Sequence, residues 1–176
     1  MKKIIIPREN KRLKTLKAGE QIFVSGVIYT ARDQAHKKLI TAAKNKKVLV
    51  FDLEGKIIYY CGPTPNSKDK IIGSCGPTTS SRMDNFTKSF LDKGLLGMIG
   101  KGRRTKKVHE LIKKYKSIYF IAPAGCGALL SKKVSAKKLV CFAELGPEAI
   151  YELKVRDFPL LVAIDSKGKS IYETLD

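Results

Sequence analysis

The sequence predicts an α/β domain built on a mixed, partly barrel-like sheet. Strand-length apolar runs recur from Gln21 to Ile164. Three longer segments repeat apolar residues at helical spacing instead. Several strand candidates are joined by short turns, which a regular doubly wound sheet does not use.

The elements follow in chain order. No long linker or internal repeat interrupts the chain, so residues 1–176 read as one domain, with residues 1–18 a basic lead-in. Gln21–Val24 and Val27–Tyr29 are extended, with Gly26 between them. Ala35, Leu39, Ala42 and Ala43 keep helical spacing, so a helix spans Arg32 to Lys44. Lys47–Asp52 and Lys56–Cys61 around Gly55 read as a hairpin, and Ile71–Ile72 as a short strand. A helix runs from Ser81 to Lys93 and stops at Gly94. Leu95–Ile99 is short and apolar and is broken by Gly100-Lys101-Gly102. A basic helix over Thr105–Lys116 buries Val108, Leu111, Ile112 and Tyr115. Ile118–Ala122, Leu139–Ala143, Ile150–Val155, Leu160–Asp165 and Ser170–Tyr172 read as strands.

Composition narrows the function classes. Apolar residues make up 43%, too many for a disordered chain. No apolar run approaches the ~20 residues of a membrane helix. After MKK only three apolar residues follow, short of the roughly 7–15 of a signal-peptide core. The reading is a soluble, cytoplasmic protein without a membrane partner. The net charge of +19 suits nucleic acid, or a small anionic substrate and an acidic protein surface. Its lysines are scattered in pairs such as Lys37-Lys38, Lys106-Lys107 and Lys132-Lys133, without interleaved aromatics for base stacking. That disfavours nucleic acid. Cys61, Cys75, Cys126 and Cys141 form no C-x-x-C pair, so they indicate no zinc site or local cluster motif, and metal ligands are assigned to none of them.

Two helix starts share one design. Thr30-Ala31-Arg32-Asp33 and Ser81-Arg82-Met83-Asp84 both resemble capping boxes, with Asp in the third place. Capping accounts for Thr30, Asp33, Ser81 and Asp84. It does not account for Arg32 and Arg82, because a cation at a helix start opposes the macrodipole. A bound carboxylate would reverse that sign, and two such loops could hold the two ends of a dicarboxylate. Thr78, Thr79, Ser80 and Ser81 crowd four hydroxyls between Pro77 and Arg82, suited to turn chemistry, anion binding or proton transfer. Gly100-Lys101-Gly102 is no P-loop, because Leu95 and Gly102 stand where glycine and a hydroxyl residue belong. Gly125-Cys126-Gly127 is no dinucleotide fingerprint, because Leu130 takes the third glycine's place. His36 and His109 fall within helices and read as surface or packing residues.

Taken together, these strings resemble the β-subunit region of class I fumarases and L-tartrate dehydratases. The resemblance rests on Ser25–Asp33 with Ala35-His36-Lys37, on Ile58-Tyr59-Tyr60-Cys61-Gly62-Pro63, and on Gly76–Asp84. Met98–Gly102 and Leu145-Gly146-Pro147-Glu148-Ala149 extend it, so that it covers about residues 15–170 in order. It implies a swivelling β/β/α domain. The catalytic 4Fe–4S cluster would lie on a partner α subunit, with none bound by this chain, in a heterotetramer of two α and two β. The implied reaction is reversible hydration of fumarate to L-malate, with dehydration of L-tartrate as the alternative. Arg32, Thr78, Arg82 and Lys101 are then substrate ligands, with Thr78 the catalytic base and Arg32 lowering its pKa. A nucleic-acid-binding module and a non-catalytic interaction domain are the rival readings from other classes.

Overall fold

The computed structural model describes residues 2–44, 51–65 and 70–173. The described strands are β1 (Lys2–Ile6), β2 (Gln21–Thr30), β3 (Ile57–Tyr59), β4 (Gly97–Gly100), β5 (Ile118–Ile121), β6 (Val134–Cys141) and β7 (Ile150–Ile164). The helices are α1 (Asn10–Leu13), α2 (Asp33–Lys44), α3 (Asp84–Leu91), α4 (Lys106–Tyr115) and α5 (Gly127–Ser131), with 3-10 turns at Ser80–Met83 and Ala143–Glu148.

β2, β3, β4 and β5 run parallel. β7 is antiparallel to both β5 and β2, which closes these five strands into a barrel. Two strands extend it: β1 pairs with Ile22–Gly26 of β2, and β6 with Ile150–Val155 of β7. The expected mixed, partly barrel-like sheet is therefore present.

Side-chain alternation divides the core in two. Ile22, Val24, Ile28, Ile57, Tyr59, Ile99, Phe120, Leu153 and Phe158, all from the barrel strands, pack in one cluster. Their neighbours Ile58, Tyr60, Met98 and Tyr119 point the other way. They meet Ala35 and Leu39 of α2, Phe90 and Leu91 of α3, and Val108 and Ile112 of α4. A one-residue slip in any of these strands would exchange the two sets, so the register is strongly fixed.

Several elements differ from the sequence reading. The basic lead-in contains β1 and α1. In β1 only Ile4 and Ile6 are buried, and the lysines around them mask the alternation. The two expected segments before Thr30 are one strand, β2, with a register shift at Gly26. Gly26 has φ +123, and a Cβ there would meet the Ile6 carbonyl oxygen at 1.9 Å, so only glycine lets β1 approach. Most of the first hairpin arm, residues 47–50, lies outside the described residues. The second arm, β3, pairs with β2 and β4 in parallel and not as a hairpin partner. Ile71–Ile72 is not a strand. Ile150–Val155 and Leu160–Asp165 merge into the single strand β7, which runs through Pro159 opposite Phe23. β6 begins earlier than expected, at Val134, and Ser170 makes only a bridge to Ile164. The Ser81–Lys93 helix begins as a 3-10 turn and becomes α-helical at Asp84.

The capping-box reading also fails. Ser81 provides no cap bond to the turn or to α3. Thr30 is fully buried; its hydroxyl accepts the Tyr151 N–H at 3.1 Å and donates to the Ala149 carbonyl at 3.4 Å. It ties the end of β2 to the start of β7. Thr30→Ala removes the acceptor of a buried N–H and is expected to cost about 1–3 kcal/mol of stability, measured by urea unfolding.

Candidate functional site

The parallel strands β2, β3 and β4 end on one rim, and Arg32, Thr78 and Lys101 lie on the segments beyond those ends. In α/β sheets, ligands bind beyond the carboxyl ends of the strands. Arg32 lies two residues beyond β2, Gly62 follows β3, and Lys101 follows β4. The loop carrying Thr78 is laced between them. Its Thr78 N–H donates to the Tyr60 carbonyl at 2.6 Å, and its Ser80 N–H donates to the Lys101 carbonyl at 3.0 Å. In return the Lys101 N–H reaches the Thr78 carbonyl at 3.3 Å and the Ser80 hydroxyl at 3.1 Å. Gly100 makes this approach possible, because a Cβ there would lie 1.9 Å from Ser80 Oγ. The Ser80 hydroxyl is 2.9 Å from that of Tyr119, which donates to the Gly102 carbonyl at 2.8 Å. Thr78 is half-buried, and its hydroxyl bonds to none of the described residues.

The two arginines are held differently. Arg82 is bidentate on Asp33: Nε to Oδ1 at 3.1 Å and Nη2 to Oδ2 at 2.8 Å. Arg32 lies across Gly62, where a Cβ would stand 2.7 Å from Nη1. Its Nη2 is 4.0 Å from Oε1 of Glu148, whose other oxygen accepts the Gln34 N–H at 3.2 Å. The Nε of Arg32 is buried without a hydrogen-bond partner among the described residues. A guanidinium with an unused donor, on the same strand-end rim as a threonine hydroxyl and a lysine, is chemistry suited to a small anion.

A family model described as Fumarase C-terminus matches residues 1–175. The chain belongs to that family. Relatives agree over most of its length. A Methanocaldococcus jannaschii protein, provisionally named L(+)-tartrate dehydratase subunit beta, is 42% identical over 94% of this chain and 88% of its own. The L(+)-tartrate dehydratase subunit beta of Escherichia coli (strain K12) is 35% identical over 97% of this chain and 87% of its own. Fumarate hydratase 2 of Leishmania major is 34% identical over 95% of this chain but only 30% of its own length.

Within this family member, three features of the site were not visible beforehand. The Arg82–Asp33 pair joins two helix starts separated by 49 positions. His36 is buried, stacked on Phe90 at 4.4 Å, and bonds through Nδ1 to the Arg32 carbonyl at 2.8 Å. A carbonyl only accepts, so Nδ1 carries the proton; burial lowers the imidazole pKa to about 4 and keeps the ring neutral. Arg104 is buried beneath the rim, with Nε 2.6 Å from Asp84 Oδ1 and Nη2 2.7 Å from the Thr87 hydroxyl. Asp84, expected as a cap, instead pairs with Arg104 and accepts the Thr105 N–H at 3.0 Å.

The four cysteines are free thiols. Burial pushes Cys75 up to about 12 and Cys141 up to about 11, the opposite of the thiolate a metal needs. Among the described residues no three His, Cys, Asp or Glu side chains are grouped to hold a metal ion. A cavity of about 490 Å³ adjoins Lys101, but its walls, including Phe23, Pro123, Pro159 and Leu161, are apolar. Of the four candidate site residues, Lys101 reaches this cavity, and Arg32, Thr78 and Arg82 do not line it.

Proposed function

We propose that this chain is the β subunit of a two-subunit hydro-lyase that hydrates fumarate reversibly to L-malate, active only with its α subunit. One observation carries the reading: in a chain matched throughout by the Fumarase C-terminus family, Arg32, Thr78, Arg82 and Lys101 share one strand-end rim. The names of two relatives favour L-tartrate as the alternative substrate. The proposal includes one swivelling domain over residues 1–176 and an assembly of two α and two β subunits. Four free thiols suit a reducing cytoplasm.

The 4Fe–4S cluster is assigned to the α subunit, where it would supply the Lewis acid for C–O chemistry. The residues of this chain bind and orient the substrate and handle the proton. Arg32 and Arg82 hold its two carboxylates. Thr78 takes the proton from the carbon beside one carboxylate during dehydration. Arg82 and Lys101 then face the negative charge that develops on that carboxylate. A threonine alkoxide is intrinsically too basic for this task, and the cationic Arg32 lowers its pKa.

The test is co-expression with the α subunit, anaerobic purification and assay with fumarate, L-malate and L-tartrate. A stable complex that interconverts fumarate and malate is the expected result, with no turnover by this chain alone. Turnover of tartrate only would replace the substrate. Inactivity of a cluster-loaded complex on all three, or turnover by the isolated chain, would overturn the reading.

A further inference from the structure

We infer that Asp33 is a positioning residue that fixes Arg82 for substrate. It grips one edge of the guanidinium, through Nε and Nη2, at 3.1 and 2.8 Å. A guanidinium has five N–H donors in a planar fork. With Nε and one edge of Nη2 engaged, the Nη1 end bonds to none of the described residues and can meet a carboxylate end-on. Asp33 also follows Arg32 directly in the chain and opens α2. One carboxylate therefore connects the loop bearing the first arginine to the loop bearing the second. That tie sets the separation of the two cations, which a four-carbon dicarboxylate must match at both ends. The pair is not mainly a stabilising element. Arg82 is half exposed, and exposed ion pairs contribute ~0–1 kcal/mol. Its use is orientation, and a misplacement of about 1 Å can cost two orders of magnitude.

This rests on the hydro-lyase reading for its substrate, and the experiment separates the two. In the reconstituted complex, Asp33→Asn keeps the shape but loses the charged clamp. The expected result is a KM raised about tenfold with kcat within about twofold, a pattern that loss of folded protein does not produce. Asp33→Glu, which restores a carboxylate, should recover part of the KM. In parallel, NMR of the full chain follows the Arg82 Nε–H, identified by its disappearance in Arg82→Lys. It should be protected from solvent exchange in the wild type and unprotected in Asp33→Asn. An unchanged KM in Asp33→Asn, whatever kcat does, overturns the inference, as does a wild-type Arg82 Nε–H that exchanges as fast as free arginine. Should the wild-type complex turn over no substrate, the hydro-lyase reading fails, and the exchange measurement alone decides the clamp.

Discussion

Replacing Arg104 by leucine is expected to lower stability by about 3–5 kcal/mol in urea unfolding, the usual cost of breaking a buried ion pair from one side. The Arg104 side chain is fully enclosed and that of Asp84 is 10% exposed. Its charge lies between two rings, 5.6 Å from the centre of Tyr60 and 5.1 Å from that of Tyr119. Leucine fills much of this space but leaves the Asp84 carboxylate, among the described residues, with the Thr105 N–H alone. The cost is mostly the stranded charge, so the double variant Arg104→Leu, Asp84→Asn should recover a large part of it. Additive losses in the two variants would show that the pair does not act as a unit. The brace also bears on function: Asp84 is two residues from Arg82, and Arg104 two residues beyond Gly102. It anchors both loops of the rim from below.

The parts legible in the sequence were those with local causes. α2 and α4 announce themselves by apolar residues at helical spacing, and α4 does bury Val108 and Ile112. Gly94, with φ +80, ends the α3 segment as its type suggests. Arg32 and Arg82 stand out locally because an arginine at a helix start opposes the macrodipole, whereas the roles of Thr78 and Lys101 come from the family resemblance. Barrel closure was not visible, since β2 meets β7 across more than a hundred positions. The sequence predicts two strands where β7 is one, and Pro159, a residue that usually interrupts a sheet, lies inside it. Capping is the common local use of threonine before a helix, and Thr30 departs from it. Its actual partners, Ala149 and Tyr151, arrive only with the tertiary fold. Arg104 has no local signature at all, since its partners Asp84 and Thr87 come from the preceding helix.

Thr78→Ala in the reconstituted complex is expected to reduce kcat by about 10²–10⁴, the usual range for a positioned acid–base group, while KM stays within a few-fold. The loop should not move, because the Thr78 N–H is held by the Tyr60 carbonyl and its own carbonyl by the Lys101 N–H. Neither bond involves the hydroxyl. No described residue bonds to that hydroxyl, so its removal leaves no buried partner unsatisfied, and stability should change by less than about 0.5 kcal/mol. A large kinetic loss without a thermal shift is then a loss of chemistry. Thr78→Ser restores a hydroxyl and should recover much of the rate. A different result would reassign the residue: if KM rises and kcat holds, the hydroxyl is a binding contact and the proton goes elsewhere. If both constants stay near wild type, Thr78 has no part in the reaction. The pH dependence adds a further check. As the base in dehydration, Thr78 must be deprotonated, so kcat for L-malate should rise with pH; Thr78→Ala should remove that rise and Arg32→Lys shift it, since lysine carries the charge without the planar fork.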